Sequence, residues 1–82
     1  MKKTRETPLR NVVGPRIKAA RLRCNPAVSQ DDLAGRVAAQ GVMLDQTALS
    51  RIERQDRYVM DYELIAIAKA LGVSVGMLVG ER

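Results

Sequence analysis

The apolar residues of this chain recur at intervals of three and four positions, the spacing of one face of an α-helix. A first helix is predicted to begin near residues 13–15 and to end at the Asn25-Pro26 pair, because a residue before proline disfavours helical backbone. Its stripe consists of Val13, Ile17, Ala20 and Cys24. Similar stripes predict that a second helix buries Leu33, Ala34, Val37 and Ala38. They predict that a fourth helix buries Leu64, Ile67, Ala68 and Leu71, and that a short fifth helix turns inward Val75 and Leu78.

Capping residues indicate where these helices begin and end. Four predicted starts carry a side-chain oxygen that can accept a hydrogen bond from the first helical turn: Ser29, Asp45, Asp61 and Ser74. Gly41 is expected to break the second helix, and Gly72 suits the left-handed conformation that commonly ends a helix. No segment alternates with a period of two, so no strand is predicted. The expected fold class is therefore all-α, a compact bundle of five short helices.

The third predicted helix, residues 46–55, has two chemically different faces. At 100° per residue, its apolar side chains Ala48, Leu49 and Ile52 fall on one side. The opposite arc carries amide, hydroxyl and guanidinium groups and no acid: Gln46, Thr47, Ser50, Arg51 and Arg54. Amides and hydroxyls can read base edges, and guanidinium groups can bind guanine or phosphate. This face is therefore suited to the major groove of DNA.

Charge and composition restrict the possible functions. The 82 residues make one small domain, and the net charge of +5 favours a polyanionic partner. The sequence has no histidine and one cysteine, Cys24, so the usual nucleophile–base pairs and zinc clusters have no donors. We therefore expect neither an enzyme nor a cofactor. Only two aromatic residues are present, which disfavours stacking on single-stranded nucleic acid.

The chain is expected to divide into a flexible basic arm, residues 1–12, and a DNA-binding domain, residues 13–82. The arm is polar and contains Lys2, Lys3, Arg5 and Arg10. No apolar run approaches the length of a membrane span, and no signal-peptide core is present. We therefore expect a cytoplasmic protein with no membrane partner.

Four fragments, in order, give the sequence a family resemblance. They are GPRIKAAR, SQDDLA, LSRIER and LIAIAKALGVSVGML, and together they span about residues 14–79. The sequence resembles the lambda-repressor/Cro-like helix-turn-helix proteins, also called the XRE family. In that family the second helix of the motif reads the major groove.

The resemblance implies DNA contacts from the start of the second helix, along the third helix and just beyond it: Gln30, Gln46, Thr47, Ser50, Arg51, Arg54 and Arg57. Gln30 would brace a phosphate, and Gln46 is the main base-reading candidate because a glutamine can bond adenine bidentately. Thr47 would meet a thymine methyl or assist capping. Arg21 and Glu53 would instead form a partly buried ion pair joining the first and third helices.

Two departures from the family pattern affect the recognition helix. The stretch between Leu33 and Glu53 is about five residues longer than usual, with the additional residues near 39–44. Either the second helix is longer or the turn is wider. The angle at which the third helix docks on DNA depends on which of the two is the case. In addition, Gln55 stands where the family often has glycine after the Glu-Arg pair, so the exit from the helix is expected to differ.

The expected function is sequence-specific binding of double-stranded DNA by a transcriptional regulator, most simply a repressor. Its partners would be an operator with an inverted repeat and a second copy of the chain, and no small-molecule ligand is expected. The alternative is a protein-interaction adaptor or antitoxin-type module, in which the same fold binds a partner protein. Binding of structured RNA is a third possibility.

Overall fold

A computed structural model describes residues 8–81, and within this range the chain is all-helical, with no strand. The helices are α1 (Gly14–Arg23), α2 (Gln30–Ala39), α3 (Gln46–Glu53), α4 (Asp61–Leu71) and α5 (Val75–Val79). The basic residues Lys2, Lys3 and Arg5 of the predicted arm lie outside the described residues, as does Arg82, the last residue of the predicted domain.

Side-chain caps begin three of the five helices, as the sequence predicts. Ser29 Oγ accepts from the Asp32 N–H (3.0 Å), and Asp45 Oδ1 accepts from the Ala48 N–H (2.8 Å). Ser74 caps α5 in the same way, through the Met77 N–H at 3.0 Å. The prediction for Asp61 was wrong by one residue, because Met60 is the cap position of α4 and Asp61 is its first helical residue.

The core lies where the five helices meet. α1 packs on α3, α4 and α5, while α2 packs on α3 and α4. The fully buried side chains are Ile17, Leu33, Val37, Leu49, Ile52, Ile67 and Leu78. Two predicted core positions were wrong: Ala38 lies on the solvent side of α2, and Val75 remains exposed in the first turn of α5.

Gly14 allows α1 and α3 to approach each other closely. A Cβ at this position would overlap the carbonyl oxygen of Ile52 and lie 2.9 Å from that of Glu53. The first turn of α1 therefore rests directly on the backbone at the end of α3. This contact fixes the position of α3 relative to α1.

Arg10 and Asn11, which the sequence assigns to the arm, are fastened to the domain by hydrogen bonds. Asn11 Nδ2 donates to the carbonyls of Ile52 (3.1 Å) and Arg57 (2.8 Å), and its Oδ1 accepts from the Gly14 N–H at 2.8 Å. The Arg10 N–H also donates to the Gln55 carbonyl at 3.1 Å. These bonds tie the segment before α1 to the end of α3 and to the residues that follow it.

α3 ends at Glu53, two residues before the end predicted around Gln55. Gln55 has a φ of +64°, in the left-handed region. The Gln55 N–H donates to the Ile52 carbonyl (2.9 Å) and the Asp56 N–H to the Arg51 carbonyl (2.8 Å), which is the Schellman ending. Glycine is usual at this position, so Gln55 adopts a conformation that costs an L-residue energy.

Candidate functional site

The exposed face of α3 presents the polar groups that the sequence places there. Gln46, Thr47, Arg51 and Arg54 are exposed, and Ser50 is half-buried between them. Leu49 and Ile52 are fully buried on the opposite face. The single acidic residue of α3, Glu53, points inward, with its side chain 4% exposed. The outer surface of α3 therefore combines amide, hydroxyl and guanidinium groups without a carboxylate.

The connection between α2 and α3 is wide. The sequence leaves open whether the second helix is longer or the turn is wider, and the structure has the wider turn. α2 ends at Ala39, and six residues, 40–45, separate it from α3. Gly41 has a φ of +85° and reverses the chain after α2. Leu44 then returns to the core. The additional residues of the sequence are therefore in the turn, and α2 retains an ordinary length of 10 residues.

A buried ion pair holds α1 and α3 together behind this face. Arg21 Nε and Nη2 donate to the two carboxylate oxygens of Glu53 at 2.8 and 2.9 Å. Arg21 Nη1 donates to the Val28 carbonyl at 2.9 Å. The hydrogen bond that Arg21 donates to Glu53 is the main cause that raises the pKa of Arg21 above its ordinary value, while burial opposes it. The ion pair that the family resemblance implies is present in the structure.

Hydrogen bonds connect this ion pair to the outer face of α3. Gln30 Nε2 donates to Glu53 Oε1 at 3.0 Å, and Gln46 Nε2 donates to Gln30 Oε1 at 2.7 Å. The series from Arg21 through Glu53 and Gln30 to Gln46 therefore runs from the interior to the exposed start of α3. We call these four residues the glutamine relay. The sequence gives each member a separate role and does not predict that they form one network.

An open crevice of about 470 Å³ lies between the starts of α2 and α3, lined by Arg21, Ser29, Gln30, Asp31 and Gln46. Helix starts expose backbone N–H groups that suit an anion such as phosphate. The carboxylate of Asp31 opposes anion binding here, since it lies in the same crevice. A phosphate would therefore bind through N–H groups and the amide of Gln30, and not through an excess of positive charge.

Two arginines on the exposed face of α3 differ in how they are held. Arg54 Nη1 donates to Ser50 Oγ at 2.7 Å, which aligns its guanidinium along the helix. Arg51 has no ion pair among the described residues. Both guanidinium groups retain N–H donors directed to solvent, so both remain able to bind a phosphate or a guanine edge.

Arg57, the last predicted contact residue, is held within the protein. Its Nη1 and Nη2 donate to the carboxylate of Glu63 at 3.0 and 3.2 Å, and Nη1 also donates to the Tyr58 carbonyl. The hydrogen bond with Glu63 is the main cause that raises the pKa of Arg57. A phosphate at this position would compete with a buried carboxylate, so the support for Arg57 as a contact is weaker than for Arg51.

The sequence interpretation missed Asn11 and Glu63, the two side chains that organise the exit from α3. Asn11 bonds the end of α3 from the N-terminal side, and Glu63 holds Arg57 while its Oε1 accepts from the Met60 N–H at 2.9 Å. Arg10 adds a contact over the Tyr58 ring, 5.3 Å from its centroid. Glu63 has a local signal, because it is the third residue of a helix where a carboxylate can bond the cap N–H. Asn11 has no such signal.

Comparisons with family models, with curated proteins and with solved structures found no match for this chain. The function is therefore argued from the geometry of the chain itself.

Within residues 8–81, no cluster of three or more histidine, cysteine, aspartate or glutamate side chains could hold a metal ion. None of the helices described combines the length and apolar character needed to cross a membrane.

Proposed function

We propose that this protein binds double-stranded DNA in a sequence-specific manner and regulates transcription, with α3 lying in the major groove. The observation that carries the proposal is the exposed face of α3, where Gln46, Thr47, Ser50, Arg51 and Arg54 lie together without a carboxylate. Base edges are read by amides, hydroxyls and guanidinium groups, and phosphates are bound by arginines.

The arrangement of α2 and α3 supports the same proposal. The two helices pack on each other, and both begin on one crevice. We propose that they act as a helix-turn-helix pair, in which the second helix enters the groove while the first contacts the backbone. The six-residue turn separates the helices more than a tight turn does. We expect the resulting docking angle to be particular to this chain.

The proposed DNA site is an inverted repeat bound by two copies of the chain, and the regulatory effect is repression by obstruction of polymerase. In a two-fold complex the two α3 helices would enter successive major grooves about 34 Å apart. Half-exposed apolar side chains on α5, namely Val75, Met77 and Val79, support self-association through this helix.

Selection of bound sites from a random duplex library at moderate salt tests the proposal. We expect an enriched inverted repeat, and we expect Gln46→Ala to lose base preference at one position in each half-site. Gln40→Ala is the matched control, because Gln40 is an exposed glutamine at the far end of α2. Binding without an enriched motif, by the wild-type protein, would overturn sequence-specific readout.

A protein-interaction module is the second candidate, and one surface favours it. Met43 is 84% exposed in the turn before α3. The neighbouring residue Val42 lines a groove of about 200 Å³ together with Gln40, Tyr62, Ile65, Ala66 and Lys69. The salt dependence of binding distinguishes the two candidates. Affinity for DNA falls steeply as the salt concentration rises, whereas affinity for a protein bound through an apolar contact does not. Tighter binding to structured RNA than to duplex DNA would favour the third possibility.

A further inference from the structure

We propose that the exposed side of α4 is a contact surface between two copies of the chain, which pack through it antiparallel about a two-fold axis. This contact is additional to the self-association through α5 that the proposed function includes. It involves no DNA, so it can be tested, and can fail, separately from the proposed function. The inference follows from the order of exposed side chains along α4.

Four exposed side chains lie along one side of α4, and we call them the α4 ridge: Asp61, Tyr62, Ile65 and Lys69. Asp61, Ile65 and Lys69 are spaced by four residues, so they form one row on the helix surface. Tyr62 is 56% exposed and Ile65 is 46% exposed, and both border the groove that Val42 also lines. The ridge therefore has an apolar centre between two opposite charges.

The two charged ends of the α4 ridge have no opposite charge to pair with inside the domain. Within residues 8–81, neither Asp61 nor Lys69 forms a salt bridge. Asp61 Oδ1 accepts from the Tyr62 N–H, which leaves its second carboxylate oxygen for another donor. The helix dipole favours an acid at the start of a helix and a base at its end, but it does not explain the exposed apolar side chains between them. Because the two charges cancel, the ridge does not suit a polyanion.

The order of charges along the α4 ridge is complementary to its own reverse. Ile65 lies four residues after Asp61 and four before Lys69, so it is the midpoint between the charges. A two-fold axis at Ile65, perpendicular to the helix, places Asp61 of each copy beside Lys69 of the other. A parallel pairing would instead set like charges against each other. A two-fold contact uses the same patch on both copies and requires this self-complementarity.

Helix packing permits this antiparallel arrangement. Rows of side chains spaced by four residues interdigitate with an equivalent row at a crossing angle of about −50°. The row then keeps its register, so the apolar centres meet while the charged ends pair. One ridge is small beside the roughly 800 Å² that each partner buries in a stable complex. We therefore expect a weak, reversible contact that is strengthened when two copies are held close together.

Analytical ultracentrifugation of the DNA-free chain, at micromolar to millimolar concentrations, measures this contact. We expect the wild-type protein to self-associate reversibly. Ile65→Gln should raise the dissociation constant by about tenfold, because it replaces the apolar centre of both copies. Leu22→Gln is the matched control, since Leu22 is an aliphatic side chain 52% exposed on α1, outside the ridge. It should leave the dissociation constant unchanged.

Charge reversal tests the antiparallel order. Asp61→Lys and Lys69→Asp each turn two attractive pairs into two repulsive ones, and each should weaken self-association by about tenfold. The double variant carries both reversals and should regain most of the wild-type affinity, because opposite charges face each other again. Asp32→Lys reverses an exposed acid in the first turn of α2 and should have no effect. Thermal unfolding of each variant is measured so that all are compared in the folded state.

Three results would overturn the inference: a wild-type protein that stays monomeric at millimolar concentration, an Ile65→Gln variant that associates as tightly as the wild-type protein, or a folded double reversal as weak as the single ones. Each of them leaves the proposed DNA binding intact. If self-association depends on the α4 ridge and no duplex sequence is enriched, the inference stands and the proposed function fails.

Discussion

At the scale of single residues, the exit from α3 depends on Gln55 and Asn11. Gln55 adopts the left-handed conformation at φ +64°, and its Nε2 donates to the Asn11 carbonyl at 3.2 Å. The side-chain bond offsets part of the strain that an L-residue has there. In the family that the sequence resembles, glycine often follows the Glu-Arg pair. The left-handed conformation at this position gives a physical reason for that preference.

Substitutions of Gln55 separate the strain from the hydrogen bond. Gln55→Ala loses the bond to Asn11 and keeps the strain, whereas Gln55→Gly loses the bond and relieves the strain. We expect the glycine variant to have a free energy of unfolding higher than that of the alanine variant by about 1 kcal/mol. Urea unfolding of both proteins measures the difference. An alanine variant as stable as the glycine variant would contradict a strained Gln55.

The Glu63 carboxylate predicts a pH dependence of stability. Burial acts to raise the pKa of Glu63, but the hydrogen bonds from Arg57 and from the Met60 N–H outweigh it, and the pKa lies below the ordinary 4.5. Since the unfolded state protonates first, the stability from this carboxylate is present above about pH 4.5 and is lost as the pH falls through the lowered value.

Thermal unfolding of the wild-type protein and Glu63→Gln between pH 7 and pH 3 tests this dependence. At pH 7 the variant should be less stable by about 1–2 kcal/mol, because it loses the charge-assisted bonds from Arg57. The gap should narrow below pH 4.5. A gap that stays constant with pH would show that ionisation of Glu63 does not contribute to stability.

Local chemistry explains which residue roles could be predicted from the sequence. Ser29 and Asp45 cap their helices by bonds to N–H groups three residues away, so their roles follow from neighbouring residues. The bonds of Asn11 to Ile52 and Arg57 span 41 and 46 residues. Contacts of that kind depend on the tertiary fold, which explains why Asn11 was assigned to a flexible arm.

At the scale of elements, the approach of α1 to α3 is set by Gly14. Because a Cβ there would overlap backbone atoms that cannot turn aside, Gly14→Ala should force the two helices apart and destabilise the protein by about 1–3 kcal/mol. Gly35→Ala is the matched control, since nothing lies within 4 Å of its added Cβ in the middle of α2. We expect it to stabilise the protein by about 0.5–1 kcal/mol.

Melting temperatures of the two variants measure these opposite effects. If Gly14→Ala melted as the wild-type protein does, the close approach of α1 to α3 would be contradicted.

The order and approximate bounds of the helices follow from the sequence, because the apolar stripes are long and the caps are local. The end of α3 does not, since Gln55 at its left-handed ending accepts from the Arg10 N–H and donates to the Asn11 carbonyl, and both residues are distant in sequence.

At the scale of the whole molecule, the all-helical fold follows from hydrophobic periodicity, while the candidate site follows only in part. The polar composition of the α3 face could be predicted, because it needs only the helical period. The hydrogen bonds that link Gln46 to Glu53 through Gln30 could not be predicted, and neither could the ion pair of Arg57 with Glu63. These contacts join side chains from different parts of the chain. We expect Arg51 and Arg54 to contribute most of the phosphate contacts of α3.

The salt dependence of duplex DNA affinity tests the central claim most directly. Binding is measured over a range of salt concentrations for the wild-type protein, Arg51→Ala and the control Arg23→Ala, whose arginine lies beside Cys24 and Met77 in a groove between α1 and α5. If the α3 face binds DNA, the log–log slope should become shallower by about 0.9 per bound chain in Arg51→Ala and stay unchanged in Arg23→Ala. Equal slopes for the three proteins would contradict binding through α3.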